Sequence, residues 1–135
     1  MAVEIAPMLA VSHAAEAIKF YESAFHAEVL WRLGEGADMV AGLSIGGAKF
    51  FLACEAPNYG TRDPSKSGFT TVRIELFVDD PAVVQRQALA AGASEHSPVS
   101  EDRFETTGPN PIRRILQGAV VDPFGHLWLI GKILE

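Results

Sequence analysis

The apolar positions of this chain change their spacing several times in the first 55 residues. Residues 3–11 are mostly apolar and predict a strand, interrupted only by a proline. Residues 14–25 repeat apolar side chains every three or four positions, which predicts an amphipathic helix. Residues 27–33 alternate, which predicts a half-buried strand with Trp31 on one face and Leu30 on the other. Residues 39–45 and 48–54 predict two more strands, joined by a Gly46-Gly47 turn.

The same succession of patterns returns in the second half of the chain. Residues 70–78 predict a strand, and Asp80 followed by Pro81 predicts the start of a helix that Gly92 ends. Short strands are expected at 93–99, 112–121 and 126–133, with a polar loop at 100–111 and a turn at Asp122–Gly125. The polar segment between the two halves, residues 56–69, reads as a linker.

The two halves are related by a sequence offset. Val78 follows Val11 by 67 positions, and Gly125 follows Gly47 by 78 positions. The long 100–111 loop of the second half accounts for the larger second offset. We therefore predict an α+β fold made of two βαβββ modules. Module one spans about 1–55, the linker about 56–69 and module two about 70–135, all within a single domain of 135 residues.

Composition excludes several classes of function. The net charge is −6 and the basic residues are scattered, so neither a nucleic acid nor an anionic membrane surface is expected as a partner. The single cysteine, Cys54, cannot form a disulfide within the chain. No apolar run reaches the roughly 18 residues that a membrane span needs, so we expect a cytoplasmic protein.

Three stretches resemble one known superfamily. They are Ala10–Glu28, containing Ala17-Ile18-Lys19-Phe20-Tyr21, then Val78–Pro81 with Ala90-Ala91-Gly92-Ala93, and last Val121-Asp122-Pro123-Phe124-Gly125-His126-Leu127-Trp128. Together they resemble the vicinal oxygen chelate superfamily, the glyoxalase/bleomycin-resistance/dioxygenase group, and are most similar to its PhnB-like members. The resemblance implies that the paired modules curl into an incomplete β-barrel around a cleft. It also implies frequent homodimers and, in the enzymes, a divalent metal held by four His, Glu or Gln side chains.

The metal positions implied by the resemblance carry no suitable ligands in this chain. They fall on Ala6, Phe51, Arg73 and Leu129. Alanine, phenylalanine and leucine have no lone pair to offer, and the arginine guanidinium is a cation without an acceptor. We therefore expect no metal and no other cofactor, although a divalent metal bound by other residues, Glu75 and His126 among them, stays open as an alternative.

Six residues are candidates for lining the expected cleft. By strand alternation and by their aligned positions they are Trp31, Phe51, Arg73, Glu75, Phe77 and Leu129. Aromatic walls suit a flat or apolar ligand, and an arginine oriented by Glu75 suits a carboxylate or phosphate. The aromatic residues can equally be core, and the two charges can equally form a surface ion pair. We interpret His126 as a structural residue that bonds a backbone group at the turn.

Three functions remain open from the sequence. The favoured one is a metal-independent protein that binds a small, aromatic or anionic molecule and works as a homodimer. The first alternative is a metal-dependent enzyme of the same superfamily, a lyase, isomerase or dioxygenase. The second alternative is an interaction module that dimerises without a ligand. The sequence does not decide whether segments 56–69 and 100–111 act as lids.

Overall fold

The computed structural model describes residues 2–135 as two four-stranded sheets and two α-helices. In chain order the elements are β1 (Met8–Val11), α1 (Ala14–Phe25), β2 (Glu28–Leu33), β3 (Val40–Ile45), β4 (Ala48–Cys54), β5 (Arg73–Phe77), α2 (Pro81–Ala91), β6 (Ser94–Arg103), β7 (Arg114–Val121) and β8 (Leu127–Ile133). Three short 3-10 turns lie at Gly36–Asp38, Pro57–Tyr59 and Pro64–Lys66. This order confirms the predicted α+β arrangement of two βαβββ units.

Each unit forms its own sheet. The strand order is β1-β4-β3-β2 in the first sheet and β5-β8-β7-β6 in the second. In both sheets the first strand runs parallel to the last one, and the other neighbours are antiparallel. Within residues 2–135 no strand of one sheet pairs with a strand of the other, so the sheets do not close into a barrel.

The helices begin and end where local sequence signals place them. His26 has φ 55° and ψ 38°, the left-handed conformation expected of the residue that ends α1. Asp80 caps α2, because its carboxylate accepts a hydrogen bond from the Val83 N–H, and Pro81 follows at the first helical position. His13, at the equivalent place before α1, makes no side-chain capping bond.

Several strand boundaries and faces differ from the predictions. β1 is limited to Met8–Val11, whereas a strand was expected from residue 3. β6 continues to Arg103, because Ser100–Arg103 pair with Gln117–Arg114 of β7 instead of forming a polar loop. The prediction that β2 is half-buried is wrong: it is an edge strand, and all six of its residues are exposed.

The two units share one hydrophobic core in which Trp128 is central. Its ring centroid lies 4.7 Å from that of Phe25 and 5.5 Å from that of Tyr21, both on α1. The ring of Phe50 on β4 meets it edge-on at 5.7 Å. Since the side chain that closes the core of the first unit comes from β8, neither unit buries its apolar residues alone.

A buried carboxylate joins the same elements by hydrogen bonds. Asp122 Oδ2 accepts from the Tyr21 hydroxyl at 2.6 Å and from the Trp128 indole N–H at 2.9 Å. Asp122 Oδ1 accepts from the backbone N–H groups of Phe124 and His126 at 2.9 and 3.0 Å. Because four donors surround this buried group, it fixes both the turn before β8 and the position of α1 relative to that turn.

Candidate functional site

The first sheet carries the larger of the two cavities that contain predicted site residues. A space of about 710 Å³ lies over the face of that sheet that bears Trp31 and Phe51. Their rings meet edge-on, with centroids 5.2 Å apart and planes at 63°. The remaining lining residues are Glu4, Ile5, Ala6, Leu30, Gly47 and Lys49. We call this space the aromatic cavity.

Leu30 is a lining residue that strand alternation placed on the wrong face. The register of β2 against β3 shifts between Val29 and Trp31, which makes Leu30 an extra residue, a β-bulge. A bulge turns consecutive side chains to the same side, so Leu30 and Trp31 both line the aromatic cavity. No residue in the sequence around Leu30 signals this bulge.

One positive charge lies at the rim of the aromatic cavity. Lys49 Nζ is 3.5 Å from Glu4 Oε1, and both side chains are more than half exposed. Such a pair contributes little to stability, because water screens both charges. Lys49 and Glu4 therefore form a weak, exposed ion pair in the lining of the aromatic cavity.

The second sheet carries a separate, smaller cavity of about 290 Å³. Arg73 and Leu129 line it together with the polar side chains of His96, Ser97, Ser100, Asp102 and Gln117. Among the described residues no carboxylate lies within ion-pair distance of Arg73. Glu75 instead accepts a hydrogen bond from Gln117 Nε2 at 2.9 Å, so the expected pairing of Arg73 with Glu75 is wrong.

The six predicted site residues therefore do not meet in one space within a single chain. Trp31 and Phe51 lie together in the aromatic cavity, and Arg73 and Leu129 lie together in the smaller one. Glu75 pairs with Leu129 across β5 and β8, beside the smaller cavity. Phe77, at the end of β5, is exposed and lines neither cavity.

His126 holds the two units together. Its Nε2 lies 2.7 Å from the carbonyl oxygen of Ala10 on β1. A carbonyl oxygen only accepts, so the Nε2–H of His126 is the donor in this bond. The side chain is buried and bonds a backbone group, as expected of a structural residue, but that group lies on β1 and not at the turn as predicted.

The connecting segment, residues 55–72 between β4 and β5, is anchored by a second buried carboxylate. Asp63 accepts from the Ser12 N–H at 2.7 Å and from the Ser65 N–H at 2.8 Å. Burial by itself raises the pKa of Asp63, but the hydrogen bonds from Ser65 and Ser12 outweigh it and hold the pKa below its ordinary value. An ion pair with Lys66 likewise lowers the pKa of Glu55 at the start of the segment.

Comparison with known proteins identifies the family. The model of the glyoxalase-like domain matches residues 6–130 of this chain. The chain belongs to the glyoxalase-like domain family. The uncharacterized protein Rv0887c of Mycobacterium tuberculosis is 33% identical to this glyoxalase-like domain over 137 aligned positions, which cover 95% of this chain and 73% of that protein.

Solved structures of the same type share the fold of this glyoxalase-like domain. A glyoxalase-related enzyme from Fulvimarina pelagi superposes with a TM-score of 0.68 at 19% identity, covering 97% of this chain and 88% of that one. A glyoxalase/bleomycin resistance protein/dioxygenase from Alicyclobacillus acidocaldarius superposes with a TM-score of 0.70 at 14% identity, covering 98% and 92%. These likenesses show that the chain shares its fold with these two proteins. In residues 2–135 no helix is long and apolar enough to cross a membrane.

The residues of this glyoxalase-like domain do not fit the metal of the superfamily's enzymes. Directly opposite Phe51 and Leu129, the strand register places Met8 and Glu75 rather than Ala6 and Arg73. In that row Glu75 alone offers an oxygen that can bind a divalent cation, whereas such a site needs at least three donors. Among residues 2–135 no three His, Cys, Asp or Glu side chains cluster as metal ligands.

Proposed function

We propose that this glyoxalase-like domain binds a small organic molecule with a flat, apolar or aromatic part and an anionic group, without a metal or other cofactor. The observation that carries the proposal is the aromatic cavity, in which Trp31 and Phe51 form an exposed corner. The Trp31 side chain is 41% exposed, which is a large apolar surface to leave in water. The proposal also places the protein among PhnB-like members of the superfamily, in the cytoplasm, with the whole chain as one domain.

The chemistry of the aromatic cavity supports a planar ligand. With their planes at 63°, the two rings leave an open corner, into which a flat ring packs against one face and one edge. Covering about 100 Å² of this apolar surface would contribute roughly 2.5 kcal/mol. Lys49 at the rim supplies the charge that favours a carboxylate, sulfonate or phosphate on the same molecule.

We further propose that the working form is a homodimer in which a second copy covers the aromatic cavity with its second sheet. This would bring the unpaired Arg73 and the neighbouring Leu129 of one protomer to the Trp31 and Phe51 of the other. One feature supports it. The β2 edge strand exposes Val29, Leu30, Trp31 and Leu33, and proteins usually cover an edge strand with such residues.

Thermal unfolding in the presence of planar aromatic carboxylates and sulfonates tests the binding proposal. A ligand that binds only the folded state raises the melting temperature with its concentration. Trp31→Ala is expected to remove the increase, whereas Tyr59→Ala keeps it, because Tyr59 is an aromatic residue that is 90% exposed and does not line the cavity. Melting curves that stay flat across the panel would count against binding. A stoichiometric divalent ion bound to the purified protein would instead support the metal-dependent enzyme.

The homodimer is tested separately by sedimentation velocity. The wild type is expected to sediment as a dimer, and Leu33→Glu, which adds a charge to the exposed β2 edge, is expected to shift the population towards monomer. A wild type that sediments as a monomer at all concentrations would exclude the dimer and leave ligand binding to be decided by the melting curves.

A further inference from the structure

The position of the Trp31 indole depends on a missing side chain on the neighbouring strand. The row of paired residues across the first sheet runs Trp31 on β2, Gly42 on β3 and Phe51 on β4. A Cβ atom built on Gly42 would lie 2.4 Å from Trp31 Nε1 and 2.5 Å from Cε2. The indole therefore lies directly on the Gly42 backbone, in the space that a side chain would fill.

Gly42 is not needed for its backbone conformation. The glycines of this structure with positive φ are at other positions, and Gly42 sits in the middle of a regular antiparallel strand. Glycine in a strand interior weakens the strand unless something approaches the backbone closely. Here the close approach is that of the indole, so the absence of a side chain has a steric reason.

We propose that Gly42 is a positioning residue for the aromatic cavity: its missing side chain forms a recess that holds the Trp31 indole flat against the sheet and beside Phe51. The effect of Gly42 on binding rests on the proposed function, in which the fixed indole presents one face to a planar ligand. Gly42 itself touches no ligand, since the indole covers it. The bulge at Leu30 contributes by turning Trp31 towards the recess.

The recess matters because Trp31 belongs to an exposed edge strand. A side chain there would otherwise sample several rotamers in solvent, and each binding event would have to order it. Ordering a mobile interface side chain costs on the order of 1 kcal/mol, so an indole that is already fixed favours binding by roughly 5-fold. The same recess sets the depth of the corner, because a Cβ at position 42 would lift the indole away from the sheet.

The first test follows the indole without any ligand. The chain has two tryptophans, and Trp128 is almost completely buried, so quenching of fluorescence by acrylamide reports Trp31. Gly42→Ala is expected to increase the quenching constant about 2-fold, since the displaced indole is more exposed. Ala48→Gly, at an exposed position of β4 in the same sheet, is the control and is expected to leave the constant unchanged. An unchanged constant in Gly42→Ala would overturn the inference.

The second test measures whether the recess affects ligand binding, with anilinonaphthalene sulfonate as the probe. Gly42→Ala is expected to weaken binding of the probe about 5-fold when Trp31 is present, and less than 2-fold when Trp31 is replaced by alanine. An equal loss in both backgrounds would mean that Gly42 acts independently of the indole and would overturn the inference. Failure of the wild type to bind probes of this class would count against the proposed function, while the quenching result would still decide the role of Gly42.

A third measurement does not depend on the folding of Gly42→Ala. In the wild type an α-proton of Gly42 lies against the indole, so its NMR signal is expected far upfield through the ring current. In Trp31→Leu, a change at an exposed edge position, the signal should return to the ordinary glycine range. A Gly42 α-proton with an ordinary shift in the wild type would show that the indole does not occupy the recess.

Discussion

Tyr21 and Asp122 are 101 positions apart in the sequence, and a hydrogen bond of 2.6 Å joins the hydroxyl of one to the carboxylate of the other. The bond ties α1 of the first unit to the turn before β8 of the second. Because Asp122 also accepts from three N–H donors, its removal leaves several buried polar groups without partners. The contact between the two units therefore depends on this carboxylate.

Asp122→Ala is expected to lower the free energy of unfolding by about 3 kcal/mol or more, and Tyr21→Phe by about 1–2 kcal/mol. The difference reflects four lost bonds in the first variant and one in the second. Urea denaturation monitored by circular dichroism gives both values. Tyr59→Phe is the matched control, because Tyr59 is 90% exposed, and it should unfold like the wild type. Equal stabilities of Tyr21→Phe and Tyr59→Phe would contradict the prediction.

Stability should also fall at alkaline pH because of Tyr21. Burial, and next the nearby charge of Asp122, raises the pKa of the Tyr21 hydroxyl well above its ordinary value of 10.0. Above pH 10 the unfolded chain releases this proton while the folded chain retains it, so the free energy of unfolding decreases as pH rises through this window. The slope from one such group approaches 1.4 kcal/mol per pH unit at about 25 °C.

The alkaline effect is measured by urea denaturation at several pH values between 9 and about 11. Tyr21→Phe is expected to be less stable at neutral pH but to lose less stability across this range, and Tyr59→Phe should follow the wild type. If the free energy of unfolding of Tyr21→Phe decreases with pH as steeply as that of the wild type, then other groups cause the decrease.

Gly125 is required for both its conformation and its contact. Its φ is +87°, and a Cβ there would lie 2.3 Å from the backbone nitrogen of Ser65 in the connecting segment. Gly60 has nearly the same φ, +86°, but open space around it. Gly60→Ala is thus expected to cost about 1–2 kcal/mol for the left-handed backbone alone.

Gly125→Ala should cost clearly more than Gly60→Ala and should loosen the connecting segment. Chemical denaturation gives the two stabilities, and limited proteolysis within residues 55–72 reports the loosening, which is expected for Gly125→Ala only. If the two variants are equally stable and equally resistant, then the contact between Gly125 and Ser65 does not hold the segment in place.

The two helix starts differ in capping, and this difference is measurable. Asp80→Ala removes a capping bond to the Val83 N–H and is expected to cost about 1 kcal/mol. His13→Ser introduces a capping hydroxyl where none exists and is expected to stabilise α1 by roughly 0.5–1 kcal/mol. Thermal denaturation of the two variants should therefore shift the melting temperature in opposite directions, and shifts of the same sign would contradict the assignment of these caps.

The sequence predicted those features that a few neighbouring residues determine. The left-handed end of α1 at His26 and the cap at Asp80 depend on local backbone chemistry, and both were found as expected. The recess at Gly42 and the bulge at Leu30 were missed, because each depends on a side chain or register from another strand. Strand alternation predicts which face of its strand each of Phe51 and Arg73 occupies. It contains no information on which faces of distant strands lie next to each other in the fold.

The parallel pairing of β5 with β8 has a consequence for synthesis on the ribosome. β8 lies between β5 and β7 in the second sheet, and among residues 2–135 β5 pairs with no other strand. A nascent chain must therefore keep residues 73–77 unpaired until residues 127–133 have emerged, whereas the strands of the first sheet are complete at residue 54. Since β8 also delivers Trp128 to the shared core, the emergence of β8 from the ribosome completes the second sheet and closes the core of the first unit at the same time.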